Sequence, residues 1–237
     1  MIFGKRIVEF IKRKLYPPRC IFCRDVLADD VKLCVCKRCS ENIKRIPSER
    51  CPVCGLVTPL GSNVCWSCAS KKMYFNYHRS PYFYEDDVRR TILRLKFARK
   101  AQYCKTMGII MAAYIPYDVN FDCVTWVPMT KKQVKQRGFN QSELLAREIA
   151  KVCGFVPCEL LVKIKNTEKQ SKTKASKRAE NVKGAFSCGH DLHGKNILLI
   201  DDVFTTGATL NECSKVLKKR GADRIYCLTF ASAKPKH

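Results

Sequence analysis

Four pairs of cysteines, each spaced C-x2-C, constrain this chain more than any other feature of its sequence. The pairs are Cys20 with Cys23, Cys36 with Cys39, Cys51 with Cys54, and Cys65 with Cys68. In such a knuckle one tight turn presents two thiolates, and two knuckles complete a tetrahedron around Zn2+. Because four thiolates close the coordination shell, the spacing predicts structural rather than catalytic zinc.

The spacing leaves two questions about this module open. An iron–sulfur cluster is the minor alternative to zinc, and the spacing does not separate sequential from interleaved pairing of the knuckles. We favour two sequential sites, with Cys34 as a spare thiol. So short a segment lacks a sufficient core, and we expect metal binding to fold it.

The length and net charge of the chain limit its domain organisation and the partners it can bind. Its 237 residues fit one ordinary domain behind a small one, and we place the boundary between residues 1–73 and 74–237. No apolar run approaches the roughly 20 residues of a membrane span, so we expect a cytoplasmic protein. The net charge of +24 favours contact with a polyanion such as nucleic acid over a charge that serves solubility alone.

The C-terminal part of the chain has the pattern of a β-α-β unit. An apolar run over residues 196–200 predicts a strand, residues 210–220 a helix, and residues 224–231 a second buried strand. Fully apolar strands joined by helices imply a parallel sheet covered on both faces. Ligands bind at the carboxyl ends of such strands, which is where residues 201–209 fall.

Residues 201–209 combine two kinds of chemistry. Asp201 and Asp202 offer carboxylates to ribose hydroxyls, and Gly207 precedes the free amide groups of a helix N-terminus, which bind anions. The alternative, in which the acids only cap the helix, leaves two adjacent like charges unexplained. The combination therefore predicts a site for a ribose phosphate.

The remaining elements are predicted from periodicity and composition. Residues 74–84 are aromatic and predict a strand, although side chains such as Tyr77 and Phe83, beside Arg79, would also suit base stacking. The other expectations are an amphipathic helix at 3–15, helices near 88–95 and 100–114, a strand at 123–127, a basic loop at 131–137, a helix at 140–153, a strand at 160–164 and a mobile basic loop at 165–183.

The motif at residues 197–210 resembles the phosphoribosyl pyrophosphate (PRPP) motif of type I phosphoribosyltransferases. The segments at 93–97, 137–141 and 181–186, together with the cysteine knuckles, resemble ComF-type proteins over nearly the whole chain. The resemblance implies an α/β fold: a central parallel sheet flanked by helices, preceded by the zinc module. It also implies a role in DNA uptake during natural transformation, contact with single-stranded DNA and with uptake helicase or channel proteins, and a place at the inner face of the membrane.

The resemblance also implies a set of site residues. The PRPP-binding positions, with Mg2+, would be Asp201, Asp202, Thr205, Thr206, Gly207, Ala208, Thr209, Met129, Thr130, Lys131, Gly138 and Asn140. Asp201, Asp202, Lys131 and Arg137 would serve catalysis if the chain turns over. Purine-salvage relatives carry an aspartate where this chain has Thr205, so the loop predicts no acid for handling a base.

Two other functions compete with DNA uptake. One is a nucleotide-salvage enzyme that transfers ribose 5-phosphate from PRPP to a nitrogenous base, and the other is a regulator that senses PRPP or nucleotides without turnover. The fold alone does not choose among them.

Overall fold

The computed structural model describes residues 17–28, 31–58, 64–98, 100–165 and 180–234. The helix predicted at 3–15 and most of the basic loop predicted at 165–183 lie outside these residues.

Seven strands and seven helices have both of their ends in the described residues. The strands are β1 Tyr77–Arg79, β2 Tyr82–Phe83, β3 Cys123–Trp126, β4 Val162–Lys163, β5 Phe186–Ser187, β6 Asn196–Phe204 and β7 Arg224–Ser232. The helices are α1 Lys37–Asn42, α2 Trp66–Ser70, α3 Asp86–Phe97, α4 Tyr103–Ala112, α5 Lys131–Arg137, α6 Gln141–Cys153 and α7 Ala208–Lys219.

A parallel sheet forms the centre of the fold, in the strand order β1-β7-β6-β3, with β2 also paired to β7. Strands β4 and β5 form a separate antiparallel pair. Alternate residues of β6 enter different cores: Leu198 and Ile200 pack with α3, α4 and α6, whereas Ile197 and Leu199 pack with α7 and β5. Both faces of the sheet are therefore covered, as the apolar strand pattern predicts.

The zinc module packs against the edge of the sheet that carries β1 and β2. On one face, the carbonyl oxygens of Ile21 and Phe22 accept hydrogen bonds from Thr91 (2.7 Å) and Arg94 (2.8 Å) of α3. On the other face, Cys51 and Cys54 belong to the core beneath α7. The two halves of the module thus contact opposite faces of one sheet.

Several boundaries differ from the sequence-based expectations. Strand β6 continues through Phe204, and α7 begins at Ala208, so the acidic pair lies within the strand. The predicted basic loop at 131–137 is helix α5, because Thr130 and Gln133 form a capping box at its start. The aromatic strand is broken into β1 and β2 by Ser80 and Pro81, since proline cannot continue a strand's hydrogen bonding.

Candidate phosphoribosyl site and zinc centres

The eight knuckle cysteines gather into two groups of four. Zinc site 1 comprises Cys20, Cys23, Cys36 and Cys39; zinc site 2 comprises Cys51, Cys54, Cys65 and Cys68, and within each group the Sγ atoms lie within 4.8 Å of one another. The Sγ–Sγ distances of 3.6 Å (Cys23–Cys36) and 3.5 Å (Cys54–Cys65) approach the edge of about 3.8 Å that Zn–S bonds of ~2.3 Å give a tetrahedron. The sequential pairing is the one that forms.

The thiol chemistry of these groups suits a metal. Burial raises the pKa of the Cys68 thiol to about 12, and it also raises the pKa of Cys54. Several crowded, desolvated thiolates need a cation to neutralise them, and four sulfur ligands are typical of structural Zn2+. The residues therefore hold structural zinc.

The acidic pair sits at the carboxyl edge of the sheet and is held by three partners. The Asp201 carboxylate accepts hydrogen bonds from the Ser142 hydroxyl (2.7 Å) and from the Asp202 backbone amide (2.8 Å). The Lys96 ammonium lies 2.9 Å from one oxygen of Asp202 and 2.8 Å from the other. The pair is thus preorganised by α3 and α6.

Burial and the neighbouring charge of Asp202 raise the pKa of Asp201 to about 7. Burial alone would lower the pKa of Lys96, but the negative charge of Asp202 raises it, so the lysine stays charged. The site therefore holds one ion pair and one carboxyl group that ionises near neutral pH.

Lys96 and Ser142 are site residues that the sequence reasoning missed as functional groups. Lys96 lies 106 positions from Asp202, and it belongs to the segment 93–97, which served only as a family signature. Ser142 lies two positions after Asn140, the N-cap of α6, and directly follows the segment 137–141, which also served only as a family signature.

The phosphate loop, residues 205–209, follows the acidic pair directly. Thr205 and Thr206 are exposed, and Gly207 is the N-cap of α7 with φ of 74°. The first amides of the twelve-residue helix after this left-handed glycine lack intrahelical acceptors, so an anion can bind them; the Ala208 amide donates to the Thr206 hydroxyl (3.4 Å). Ala208 and Thr209, the other two predicted ligand positions, form the first turn of α7.

The connection between β3 and α6, which includes α5, contains the remaining predicted site residues. Asn140 caps α6 by accepting from the Ser142 amide (3.0 Å) and donates to the Val127 carbonyl (3.1 Å). Arg137 donates to the Gln141 side chain (2.7 Å), and its Nη1 lies 3.9 Å from the Met129 sulfur. Asn140 therefore anchors the helix that positions Ser142 against Asp201.

Two further predicted positions flank α5. Thr130 caps the helix, whose first residue, Lys131, is exposed, and Gly138 ends it with φ of 92°. Burial lowers the pKa of Arg137, and the negative charges of Asp202 and Asp201 oppose this effect. The guanidinium therefore interacts electrostatically with the acidic pair.

Of the aromatic side chains considered for base stacking, Phe75 and Tyr82 are buried in the core, whereas Tyr77, Phe83 and Tyr84 are half-buried. Phe75 and Tyr82 are 3% and 5% exposed. The Tyr77 ring packs on Tyr226 and carries the Arg79 guanidinium 3.8 Å from its centroid. The core-strand interpretation therefore accounts for Phe75 and Tyr82.

Comparison with known proteins identifies two family models in this chain. A phosphoribosyl transferase domain matches residues 134–237, and a double zinc ribbon domain matches residues 11–71. With the parallel sheet and the two four-cysteine groups, they define a phosphoribosyltransferase-type domain joined to a double zinc ribbon.

Curated relatives cover most of the chain. Competence protein ComFC of Bacillus subtilis is 31% identical over 201 residues, which are 79% of each chain. Competence protein F of Haemophilus influenzae is 28% identical over 91% of this chain and 97% of its own. DNA utilization protein YhgH of Escherichia coli K12 is 26% identical over 90% of this chain and 96% of its own. The chain belongs to the ComF family.

Among the residues that the structure describes, no helix is both long enough and apolar enough to cross a membrane.

Proposed function

We propose that this chain binds PRPP, together with Mg2+, at the acidic pair and the phosphate loop, and that it takes part in DNA uptake during natural transformation. The observation that carries the binding proposal is the order of groups along one strand end: two carboxylates, two exposed threonines, then a left-handed glycine that opens α7. The relatives named as competence proteins support the role in uptake.

Each group has a distinct task in this proposal. The carboxylates of Asp201 and Asp202 accept hydrogen bonds from the ribose hydroxyls, and the amides of the phosphate loop bind the 5-phosphate. Attack by an acceptor on C1 of the ribose would displace pyrophosphate. We assign Lys131 and Arg137 to stabilise the negative charge of this leaving group.

The acidic pair fits Mg2+ through one of its members. Carboxylate oxygens are ligands that Mg2+ accepts, directly or through water. Asp202 is already paired with Lys96, so we assign contact with the ion to Asp201. Bound with PRPP, Mg2+ neutralises negative charge on the pyrophosphate.

Isothermal titration with PRPP and Mg2+ tests the binding proposal. We expect the Asp201→Asn, Asp202→Asn variant to lose binding while keeping the zinc content and far-UV spectrum of the wild type. The matched control is Asp118→Asn with Asp223→Asn. These exposed aspartates precede β3 and β7, at the amino ends of the strands and therefore away from the acidic pair. Equal binding by wild type, variant and control would contradict the assignment.

A basic groove supports single-stranded DNA as a second ligand. The groove, about 470 Å3 in volume, lies between β5 and α7, and its charged lining residues are the cations Lys183, Lys215, Lys219 and Arg220 and one acid, Glu212. Within the described residues none of these four cations forms an ion pair. Unpaired cations along one surface suit a phosphate backbone, in keeping with the net charge of +24.

Anisotropy titrations of a labelled oligo-dT at several salt concentrations test the groove. We expect Lys215→Glu with Lys219→Glu to weaken binding and to reduce the log–log salt slope by about 1.4, at ~0.7 per lost phosphate contact. Arg89→Glu with Lys105→Glu changes the net charge equally at exposed positions of α3 and α4 and should preserve the slope. A slope changed equally by both pairs would mean that the charge acts diffusely rather than in the groove.

A further inference from the structure

The part of the zinc module that forms site 2 rests on one buried histidine. The His78 amide donates to the Val53 carbonyl (2.7 Å), and its ring Nδ1 donates to the Cys54 carbonyl (2.6 Å). A Cβ on Gly55 would come within 2.4 Å of the His78 carbonyl oxygen, so the knuckle turn lies directly on β1. His78 is therefore in intimate contact with the backbone that presents two ligands of site 2.

The state of the His78 ring follows from its surroundings. It is fully buried, and each of its ring nitrogens lies within hydrogen-bond distance of a polar group. Because a carbonyl oxygen only accepts, Nδ1 carries the proton that it donates to Cys54, and Nε2 faces the hydroxyl groups of Thr229 (3.0 Å) and Ser80 (3.3 Å). Thr229 is the partner of Asp201 across the β6–β7 pairing. The orientation of the ring is thus set from both sides.

The opposite contact of His78 is with the last residue of β6. Its ring stacks on Phe204 with a centroid distance of 4.1 Å and an interplanar angle of 21°. The Phe204 ring in turn occupies the space beside Gly207, where an added Cβ would lie 2.7 Å from Cζ. Phe204 therefore contacts both Gly207, the N-cap of α7, and the His78 ring.

We propose that His78 is a positioning residue that couples zinc site 2 to the phosphate loop, so that metal in this site sets the conformation of residues 205–209. The route is continuous: the site 2 knuckle, His78, Phe204 and Gly207 contact one another in that order. Zinc site 1 lacks this route, because it packs on α3 at the other face of the sheet. The zinc ribbon therefore has a second task besides its own folding.

Hydrogen exchange of the full-length chain tests the coupling without any ligand. One variant empties site 2 (Cys65→Ser with Cys68→Ser), and its matched control empties site 1 (Cys36→Ser with Cys39→Ser); zinc per chain is measured for both. We expect loss of site 2 to speed exchange across residues 204–211 by about tenfold, the size that a lost aromatic pair and hydrogen bond give together. Loss of site 1 should instead loosen α3. Equal loosening of the loop by both variants, or by neither, would overturn the proposal.

A double-mutant cycle keeps the proposal testable if an emptied ribbon unfolds. In the zinc-loaded chain, His78→Leu should speed exchange of 204–211 as the loss of site 2 does, and combining the two changes should add at most about twofold. Phe121→Leu, which removes ring contacts with Phe155 and Tyr226, controls for general loosening of the core and should leave the loop unchanged. Fully additive effects would show that the coupling does not pass through His78.

A second readout rests on the proposed PRPP binding. We expect loss of site 2, and His78→Leu, to weaken PRPP binding about tenfold, since both loosen the loop that binds the 5-phosphate. If the wild-type chain binds no PRPP, the proposed ligand is wrong, whereas the exchange experiment still decides the coupling. Unchanged PRPP affinity beside a loosened loop would contradict the functional part of the inference.

Discussion

At the scale of single residues, the chemistry of the site depends on the protonation of Asp201. Its pKa rises from 3.8 to about 7 because the carboxyl group is buried beside Asp202. The folded chain therefore holds a proton that the unfolded chain has released above about pH 4. By linkage, the free energy of unfolding falls as the pH rises from about 4 to about 7, and this loss is complete above pH 7.

The first prediction follows from this fall in the free energy of unfolding as the pH rises. Asp201→Asn stays neutral, so its free energy of unfolding should decline less between pH 5 and pH 8, and it should exceed that of the wild type at pH 8. Urea denaturation at pH 5, 6.5 and 8 measures both chains. Parallel pH dependences would show that Asp201 ionises in the folded chain as it does in water.

The ion pair between Lys96 and Asp202 gives a second prediction at this scale. Removing one partner of a buried pair costs roughly 3–5 kcal/mol, and we expect about 2–4 kcal/mol for Lys96→Met because the lysine side chain keeps 20% exposure. The double variant Lys96→Met, Asp202→Asn should recover much of that loss, since no buried charge is left unpaired. Chemical denaturation of the three variants measures this coupling, and purely additive losses would contradict it.

At the scale of elements, the connection from β6 to α7 carries the proposed site. Strand β6 continues beyond the apolar run and stays paired with β7: Asp201 lies opposite Thr229, and Phe204 lies opposite Ser232. Helix α7 then begins at Ala208, directly after Gly207, whose left-handed conformation turns the chain beside the Phe204 ring.

This close contact predicts a steric penalty for any side chain at the N-cap of α7. Gly207→Ala should lose about 2–5 kcal/mol, combining the left-handed strain of ~1–2 kcal/mol with ~1–3 kcal/mol of overpacking against Phe204, and should weaken PRPP binding. Gly154→Ala is the matched control, because Gly154 has φ of 72° with nothing within 4 Å of its added Cβ. Thermal unfolding and PRPP titration measure both variants. Equal losses would mean that the Phe204 contact is unimportant.

The sequence predicted the local features of these elements better than their ends. The apolar run of β6 and the helix after it were visible because their periodicities are local. The extension from Asp201 through Phe204 was not visible, because the pairing of Asp201, Val203 and Phe204 with β7 continues a strand that the preferences of the acidic residues would end. Helix α5 was missed for the reverse reason: its basic composition suggested a loop, whereas a local capping box starts a helix.

At the scale of the whole molecule, the zinc ribbon and the sheet form one packed unit at the β1–β2 edge. The cysteine spacing predicted the two groups of four, since each knuckle is a local turn. It did not predict that zinc site 1 packs on α3 and zinc site 2 on β1. The contacts of His78 with Thr229 and of Lys96 with Asp202 join residues more than a hundred positions apart, and no spacing rule reaches that far.

The most direct test of the central claim is a crystal structure of the zinc-loaded chain soaked with PRPP and Mg2+. We predict the 5-phosphate on the amides of residues 206–209 and the ribose hydroxyls on the Asp201 and Asp202 carboxylates. PRPP bound only in the basic groove between β5 and α7, with the acidic pair and the phosphate loop left as they are, would contradict the assignment of the phosphoribosyl site.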